Sequence, residues 1–304
     1  MSKSFLFGLL GLTLAGPSFA GGAWVPAPGH GDVQLGFSRK TAHTSWDSHG
    51  DGFTNTTNTP HGVQKHYHDF RYRYVSGEVG VVNRLSFKFL VTYLDGYEGP
   101  KDDLERNTGF SDSWLGVKYR LKEGNWPMAL GVTMRTPVLY DLPGPYSRYL
   151  YNSNGTFRGL SPEWRGVLKE DYTLSYLLSH SYADGRGWMN FELGYTWRNG
   201  APADEVPFAF DIGYPLPFWN AKVKGSVTYI QSVGNDTPRQ PDDRFGSRAG
   251  FNFNNASHLR AGAAIIVPFG KDGRCSVEAG YNQWLWGKSA RQYHEPYLSL
   301  GYRF

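Results

Sequence analysis

The chain has 304 residues, with 31 Lys and Arg against 27 Asp and Glu, one cysteine (Cys275) and 16% aromatic residues, yet its mean hydropathy is −0.48. Aromatic content this high excludes a disordered chain, and one cysteine excludes a disulfide framework or a cysteine-built zinc cage. A formal net charge of only +4 with no long Lys/Arg run leaves no electrostatic footprint for a nucleic acid, so no nucleic-acid partner is expected.

The N-terminus reads as an address. Met1-Ser-Lys3 is a short basic start, Phe5 to Leu14 is an apolar run, and Pro17-Ser-Phe-Ala20 places small residues before a cut after Ala20. This is the layout of a cleaved secretory signal peptide over residues 1–20, too short for a membrane span. No later stretch approaches the roughly 20 apolar residues that a spanning helix needs.

From there the pattern has period two. Twelve strands are expected near 32–43, 66–79, 84–95, 112–122, 127–139, 170–182, 187–198, 207–216, 221–233, 258–269, 275–287 and 295–304. Leu85, Phe87, Phe89, Val91 and Tyr93 share one face, with Ser86, Lys88 and Thr92 on the other. Leu115, Val117, Tyr119 and Leu121 oppose Gly116, Lys118 and Arg120, and Met189, Phe191, Leu193, Tyr195 and Trp197 oppose Asn190, Glu192, Gly194 and Thr196. The chain closes on Leu298, Leu300, Tyr302 and Phe304 in strict alternation. Such alternation makes one apolar and one polar sheet face.

An apolar-Gly-aromatic phrase recurs inside this pattern: Gln34-Leu-Gly-Phe37, Glu192-Leu-Gly-Tyr195, Asp211-Ile-Gly-Tyr214, Glu278-Ala-Gly-Tyr281 and Ser299-Leu-Gly-Tyr302. Its glycine always falls on the polar face. Glycine weakens a strand, so its repetition signals close quarters within a curved sheet.

Short connections alternate with long ones at about 44–65, 96–111, 140–169 and 234–257. An even strand number, short turns at one end and long loops at the other describe an all-β, transmembrane, antiparallel up-and-down barrel over residues 21–304. A secreted sandwich would also alternate, but it would bury the charged face in a dry core, at great cost. The expected location is the outer membrane of a Gram-negative bacterium, with its lipid as one partner. The aromatic end at Phe304 resembles the signal read by the barrel-insertion machinery.

With the apolar face toward lipid, the polar face lines a lumen. Its expected lining includes Arg71, Arg73, Lys88, Asp112, Lys118, Arg120, Arg135, Glu192, Asp211, Lys224, Arg260 and Glu278. Cations in a low-dielectric passage would favour anionic or polar solutes; alternatively the charges pair and fill a closed interior. The long 140–169 loop offers Tyr146, Tyr149, Tyr151, Phe157 and Trp164 as candidates for an aromatic-walled entry.

A catalytic alternative rests on His43-Thr-Ser45, two residues apart at the end of the first strand, where an imidazole could deprotonate a hydroxyl beside lipid. The Asn-Gly-Arg run that follows the serine in outer-membrane phospholipase A is replaced here by Trp46-Asp-Ser48. His66-x-His68 puts two imidazoles on one strand face, with His43, His49 and His61 near in sequence, but exposed loop histidines ordinarily bind nothing and no metal is expected. No Walker loop, dinucleotide fingerprint or His-Glu-x-x-His motif occurs, so no cofactor is expected.

Asp112-Ser-Trp-Leu-Gly-Val-Lys-Tyr-Arg-Leu121 and the C-terminal stretch from Leu259 through Val277-Glu-Ala-Gly-Tyr281 and Trp286-Gly-Lys288 to Leu298-Ser-Leu-Gly-Tyr-Arg-Phe304 resemble the meta-pathway phenol-degradation family of outer-membrane proteins. The resemblance spans most of residues 24–304 and implies a barrel that takes up aromatic or other hydrophobic compounds. This chain departs from simpler members in its long 140–169 and 234–257 loops and its His-rich first loop. The reading is a monomeric channel or facilitator for small organic solutes, not an enzyme; the alternatives are a lipid hydrolase and a structural or adhesion barrel acting through its loops.

Overall fold

Alternating polarity builds twelve long strands: β1 (Gly31–Ala42), β2 (Gly62–Val82), β3 (Leu85–Pro100), β4 (Ser113–Lys122), β5 (Met128–Thr136), β6 (Asp171–Tyr182), β7 (Gly187–Arg198), β8 (Asp204–Pro215), β9 (Lys222–Val233), β10 (Ser257–Phe269), β11 (Cys275–Lys288) and β12 (His294–Arg303). The computed structural model describes residues 22–46, 50–59, 62–100, 104–137, 139, 149–151, 157–160, 170–183, 185–199, 204–233, 256–288 and 290–304. The expected signal peptide lies outside them.

Each strand pairs antiparallel with its neighbour in sequence, and β12 returns to β1. That last seam runs from Asp32↔Arg303 to Thr41↔His294, and Gly31 and Phe304 exchange backbone hydrogen bonds at 3.2 and 3.1 Å. Closure leaves no open sheet edge in lipid, where unpaired backbone groups would cost several kcal/mol each. All twelve expected strands are present, and among the described residues there is no α-helix, only a 3-10 turn at Lys271–Gly273.

The molecule is inside-out relative to a water-soluble protein. Leu35, Val75, Val117, Val132, Leu174, Leu193, Ile265, Leu298 and Leu300 are exposed on the outer face. Ser76, Glu78, Ser86, Lys118, Ser179, Asn190, Asp211, Lys224 and Glu295 are almost wholly buried on the inner one. Exposed rings mark both borders of the apolar belt, Trp126, Phe218, Trp219 and Tyr302 toward the turns and Tyr172, Trp197 and Phe110 toward the loops, the girdles of a transmembrane barrel.

Three of the five recurring glycines admit rings. A Cβ at Gly36 would stand 2.0 Å from Tyr74 Cζ, one at Gly213 2.2 Å from Trp188 Cη2 and one at Gly280 2.5 Å from Tyr297 Cζ. Each ring comes from the residue directly across the ladder and points inward.

The loop side is more regular than alternation suggests. β2 has 21 residues and β3 has 16, against the 9–11 that cross a bilayer. The expected 96–111 loop continues β3 to Pro100, and Glu105–Phe110 pairs back onto it from Glu98↔Glu105 to Tyr93↔Phe110. Gly96, Gly99 and Gly109 hide this extension, because they interrupt the side-chain pattern while leaving the backbone free to pair.

Candidate functional site

Inward-facing charges occur as pairs between adjacent strands or across one intervening strand. Lys118 Nζ on β4 lies 2.8 Å from Glu78 Oε1 on β2, with both side chains no more than 2% exposed, and Glu78 also accepts from Ser86 Oγ. On the other side Lys224 of β9 pairs with Glu278 of β11, which accepts from Tyr297 Oη at 2.8 Å. Toward the loops, Arg135 is bound to Asp171 and stands 4.0 Å from Asp112, while Arg198 joins Asp171 at 3.3 Å and Glu205 at 2.7 Å. Asp211 accepts from Trp188 Nε1 at 2.7 Å and Asn190 Nδ2 at 3.0 Å. Each pair is hydrogen-bonded further, the condition under which buried charge is tolerable.

Residues 22–30 form a strap through the lumen. The chain leaves β1 at its turn end, where Gly29 N donates to Gly80 O at 2.9 Å and Pro28 bridges Gly80. A Cβ at Gly80 would fall 2.3 Å from Ala27 O, so glycine makes room for the strap. It then reaches the opposite wall: Arg120 Nη1 donates to Val25 O at 3.5 Å, Lys118 Nζ to Gly22 O at 3.0 Å, and Ala23 N to Ser179 Oγ at 2.6 Å. Ala23, fully buried, packs with Ala129 of β5 and Leu177 of β6. β1 and β6 stand five strands apart in a ring of twelve, one short of opposite, so the strap crosses the lumen. Nothing in these nine residues, which lack periodicity, announces this in the sequence.

Above the strap, on the loop side, the lumen wall is aromatic. Trp46 packs with Trp284 and Ala290, and Tyr293 meets Trp284 edge-on at 5.3 Å. Phe70 is 6.3 Å from Tyr293, and the His66, His68 and Phe70 rings ascend β2 at 4.8 and 6.1 Å. Two cations sit over these faces: Lys40 lies 4.9 Å from the Tyr72 centroid and 5.5 Å from that of Trp284, and Arg260 lies 5.3 Å from Trp284. Glu295, fully buried, stands 3.7 Å from each of them and accepts from Asn282 at 3.2 Å. The vestibule is thus built of ring faces beside two cations and one carboxylate, with Trp46, Trp284, Lys40, Arg260 and Glu295 all buried against one another. Of these groups the sequence pattern had singled out Arg260 alone as lumen-lining.

Lys88, Asp112, Lys118, Arg120, Arg135, Glu192, Asp211, Lys224, Arg260 and Glu278 all lie on the inner face. Arg71 and Arg73 do not. Ser76 and Glu78 are buried and Val75 is exposed, so on β2 the even positions face inward and the two arginines project outward. Phe70, Tyr72 and Tyr74, apolar in type, take the inner positions and invert the expected assignment.

His43 and Ser45 do not share a strand face either. β1 ends at Ala42; His43 is exposed beside Tyr67, with ring centroids 6.4 Å apart, while Ser45 is buried in Thr44–Trp46, a strand paired with Gly52–Thr54 and Ala290–Arg291. The bend at His43 removes the alternation that would have aligned imidazole and hydroxyl. His66 and His68 do share the inner face of β2, and among the described residues no group of three metal-binding side chains assembles. Tyr146 and Trp164 lie outside the described residues. Tyr149 and Tyr151 belong to a short strand paired with Phe157–Leu160.

No family model matches the chain, and no curated protein does. Among solved structures it is similar to an outer-membrane channel from Pseudomonas putida F1, at 11% identity and a TM-score of 0.62 over 92% of this chain and 97% of that one. It is also similar to the translocator domain of the autotransporter NalP from Neisseria meningitidis (11% identity, TM-score 0.45, covering 91% and 89%). The toluene transporter TodX of P. putida matches at 10% identity and a TM-score of 0.42, covering 91% of each chain. At 11% identity the likeness to the P. putida F1 channel establishes the fold alone, a membrane-spanning β-barrel.

Proposed function

We propose that this chain is a monomeric outer-membrane channel that passes small organic solutes, aromatic acids foremost, toward the periplasm without covalent chemistry. The observation that carries the reading is the stacking of two features along one axis: an aromatic, cation-flanked vestibule on the loop side and a peptide strap across the lumen beneath it. A flat solute would part this cluster and lie against the ring faces of Trp284, Tyr293 and Tyr72, and Lys40 and Arg260, each 3.7 Å from Glu295, would attract its carboxylate. The strap, tied to the far wall by single hydrogen bonds from Lys118 and Arg120 and by one from Ala23 N to Ser179 Oγ, would be the element that yields.

Two further observations support this reading: the apolar outer belt and the channel from P. putida F1 that shares the fold. Cleavage after Ala20, export, and insertion guided by Phe304 complete the proposal. The test is influx into liposomes holding the refolded chain from residue 21. Benzoate-like aromatic acids should enter faster than sugars or aliphatic amino acids of equal size. Entry of none of them would refute the channel.

A further inference from the structure

The arginines displaced to the outer face do not scatter. Arg39, Arg71, Arg73 and Arg106 gather on the adjoining outer faces of β1, β2, β3 and the Glu105–Phe110 strand. Cross-strand register places Arg39, Arg71, Asp95 and Thr108 in one row. The row above it holds Thr41, Asp69, Tyr97 and Arg106, and the row below holds Phe37, Arg73, Tyr93 and Phe110. Four guanidiniums face two carboxylates.

The carboxylates position the cations without covering them. Asp69 accepts from Arg39 at 2.8 and 2.9 Å and from Arg71 at 3.2 Å, yet their side chains remain 48% and 41% exposed. Asp95 holds Arg106 at 2.9 Å with that side chain 57% exposed. Arg71 and Arg106 both lie over the Tyr97 ring, at 5.0 and 5.6 Å. Arg73 is exposed, with no ion pair to it among the described residues.

Directly on the turn side of this patch, the outer wall carries a groove of about 500 Å³, lined by Leu35, Phe37, Val75, Val91 and Leu298, with Arg73 and Tyr93 at its edge. Apolar groove and cation patch meet where the belt ends on the loop side. On the far side of the barrel the same level carries Tyr172, Tyr195, Trp197 and Asp204 on β6 to β8.

We propose that this face is a binding site for the phosphorylated glycolipid of the outer leaflet, with acyl chain in the groove and phosphates on Arg39, Arg71, Arg73 and Arg106. Charge complementarity selects this occupant. A zwitterionic phospholipid offers one screened phosphate, whereas a diphosphorylated glucosamine disaccharide lipid offers two, one at each end of the sugar and both suited to forked guanidinium donors. The proposal rests on the outer-membrane location given above.

The test is native mass spectrometry of the refolded chain in mild detergent with diphosphoryl lipid A. The wild type should retain it at least tenfold better than lipid A stripped of both phosphates, and Arg39→Gln/Arg71→Gln/Arg73→Gln should lose that preference while keeping its folded migration on unheated gels. Arg73→Gln alone should show a smaller loss. Equal retention by wild type and triple variant, or equal retention of both lipids, would overturn the proposal, as would displacement by millimolar inorganic phosphate. These arginines lie outside the lumen, so aromatic-acid influx should be unchanged in the triple variant. Influx without lipid A binding would remove this site alone; lipid A binding without influx would remove the channel alone.

Discussion

The ring of Tyr74 occupies the space where Gly36 lacks a side chain, across one rung of the β1–β2 ladder, so close that a Cβ at 36 would lie 2.0 Å from Tyr74 Cζ. The same exchange joins Gly213 to Trp188 and Gly280 to Tyr297. Glycine opposite an aromatic lets a large ring lie flat against the inner wall and lets the sheet curve around it. This is the physical content of three of the five apolar-Gly-aromatic phrases: the glycine makes room for the ring on an adjacent strand.

Gly36→Ala should therefore force the Tyr74 ring off its seat and destabilise the barrel by about 1–3 kcal/mol, the usual cost of overpacking. Tyr74→Ala in the same chain should remove most of that clash. Urea unfolding in lipid vesicles reads both, and additive effects of the two substitutions would contradict the pairing.

Lys118 and Glu78 form a buried pair, and removing one partner strands the other. Lys118→Met should cost about 3–5 kcal/mol, and Lys118→Met/Glu78→Gln appreciably less. Lys118 also holds the carbonyl of Gly22, so both variants should raise single-channel conductance in planar bilayers. Stability lost with conductance unchanged would separate the pair from the strap.

How far the sequence is legible follows from this wall. Period two with apolar belts such as Leu298, Leu300 and Tyr302 is unmistakable, because lipid imposes one face on every strand. β2 misleads because above the belt no lipid constrains it. There Phe70 and Tyr72 turn inward to build the vestibule and Tyr74 turns inward onto Gly36, while Arg71 and Arg73 turn out. Counting parity upward from Ser76 and Glu78, or noticing that Gly36 needs a ring opposite, would have assigned them. The strap leaves no such trace, since Ala23 and Val25 look like any short apolar linker. Trp284 and Tyr293 lie in sequence amid other aromatics, and only closure of β12 on β1 and the fold of Thr44–Trp46 brings Trp46 to them.

Trp284→Ala should flatten selectivity. It removes the face shared by Lys40, Arg260, Tyr293 and Trp46, so the influx advantage of aromatic over aliphatic acids should fall several-fold. Sugar influx should stay the same or rise. An unchanged ratio would place selectivity elsewhere.

Ser45→Ala should leave any trace of lipid hydrolysis by the purified protein unchanged, because Ser45 is buried and His43 is exposed beyond a bend. Loss of a measurable phospholipase activity in that variant would restore the catalytic alternative.

The strap carries the central claim, and it is tested by comparing aromatic-acid influx into liposomes containing the chain from residue 21 with influx through a chain beginning at Pro28. If the strap closes the lumen beneath the vestibule, the shortened chain should pass solute several-fold faster and admit larger molecules, with its folded gel migration retained. Identical influx and size cut-off in the two proteins would contradict the account.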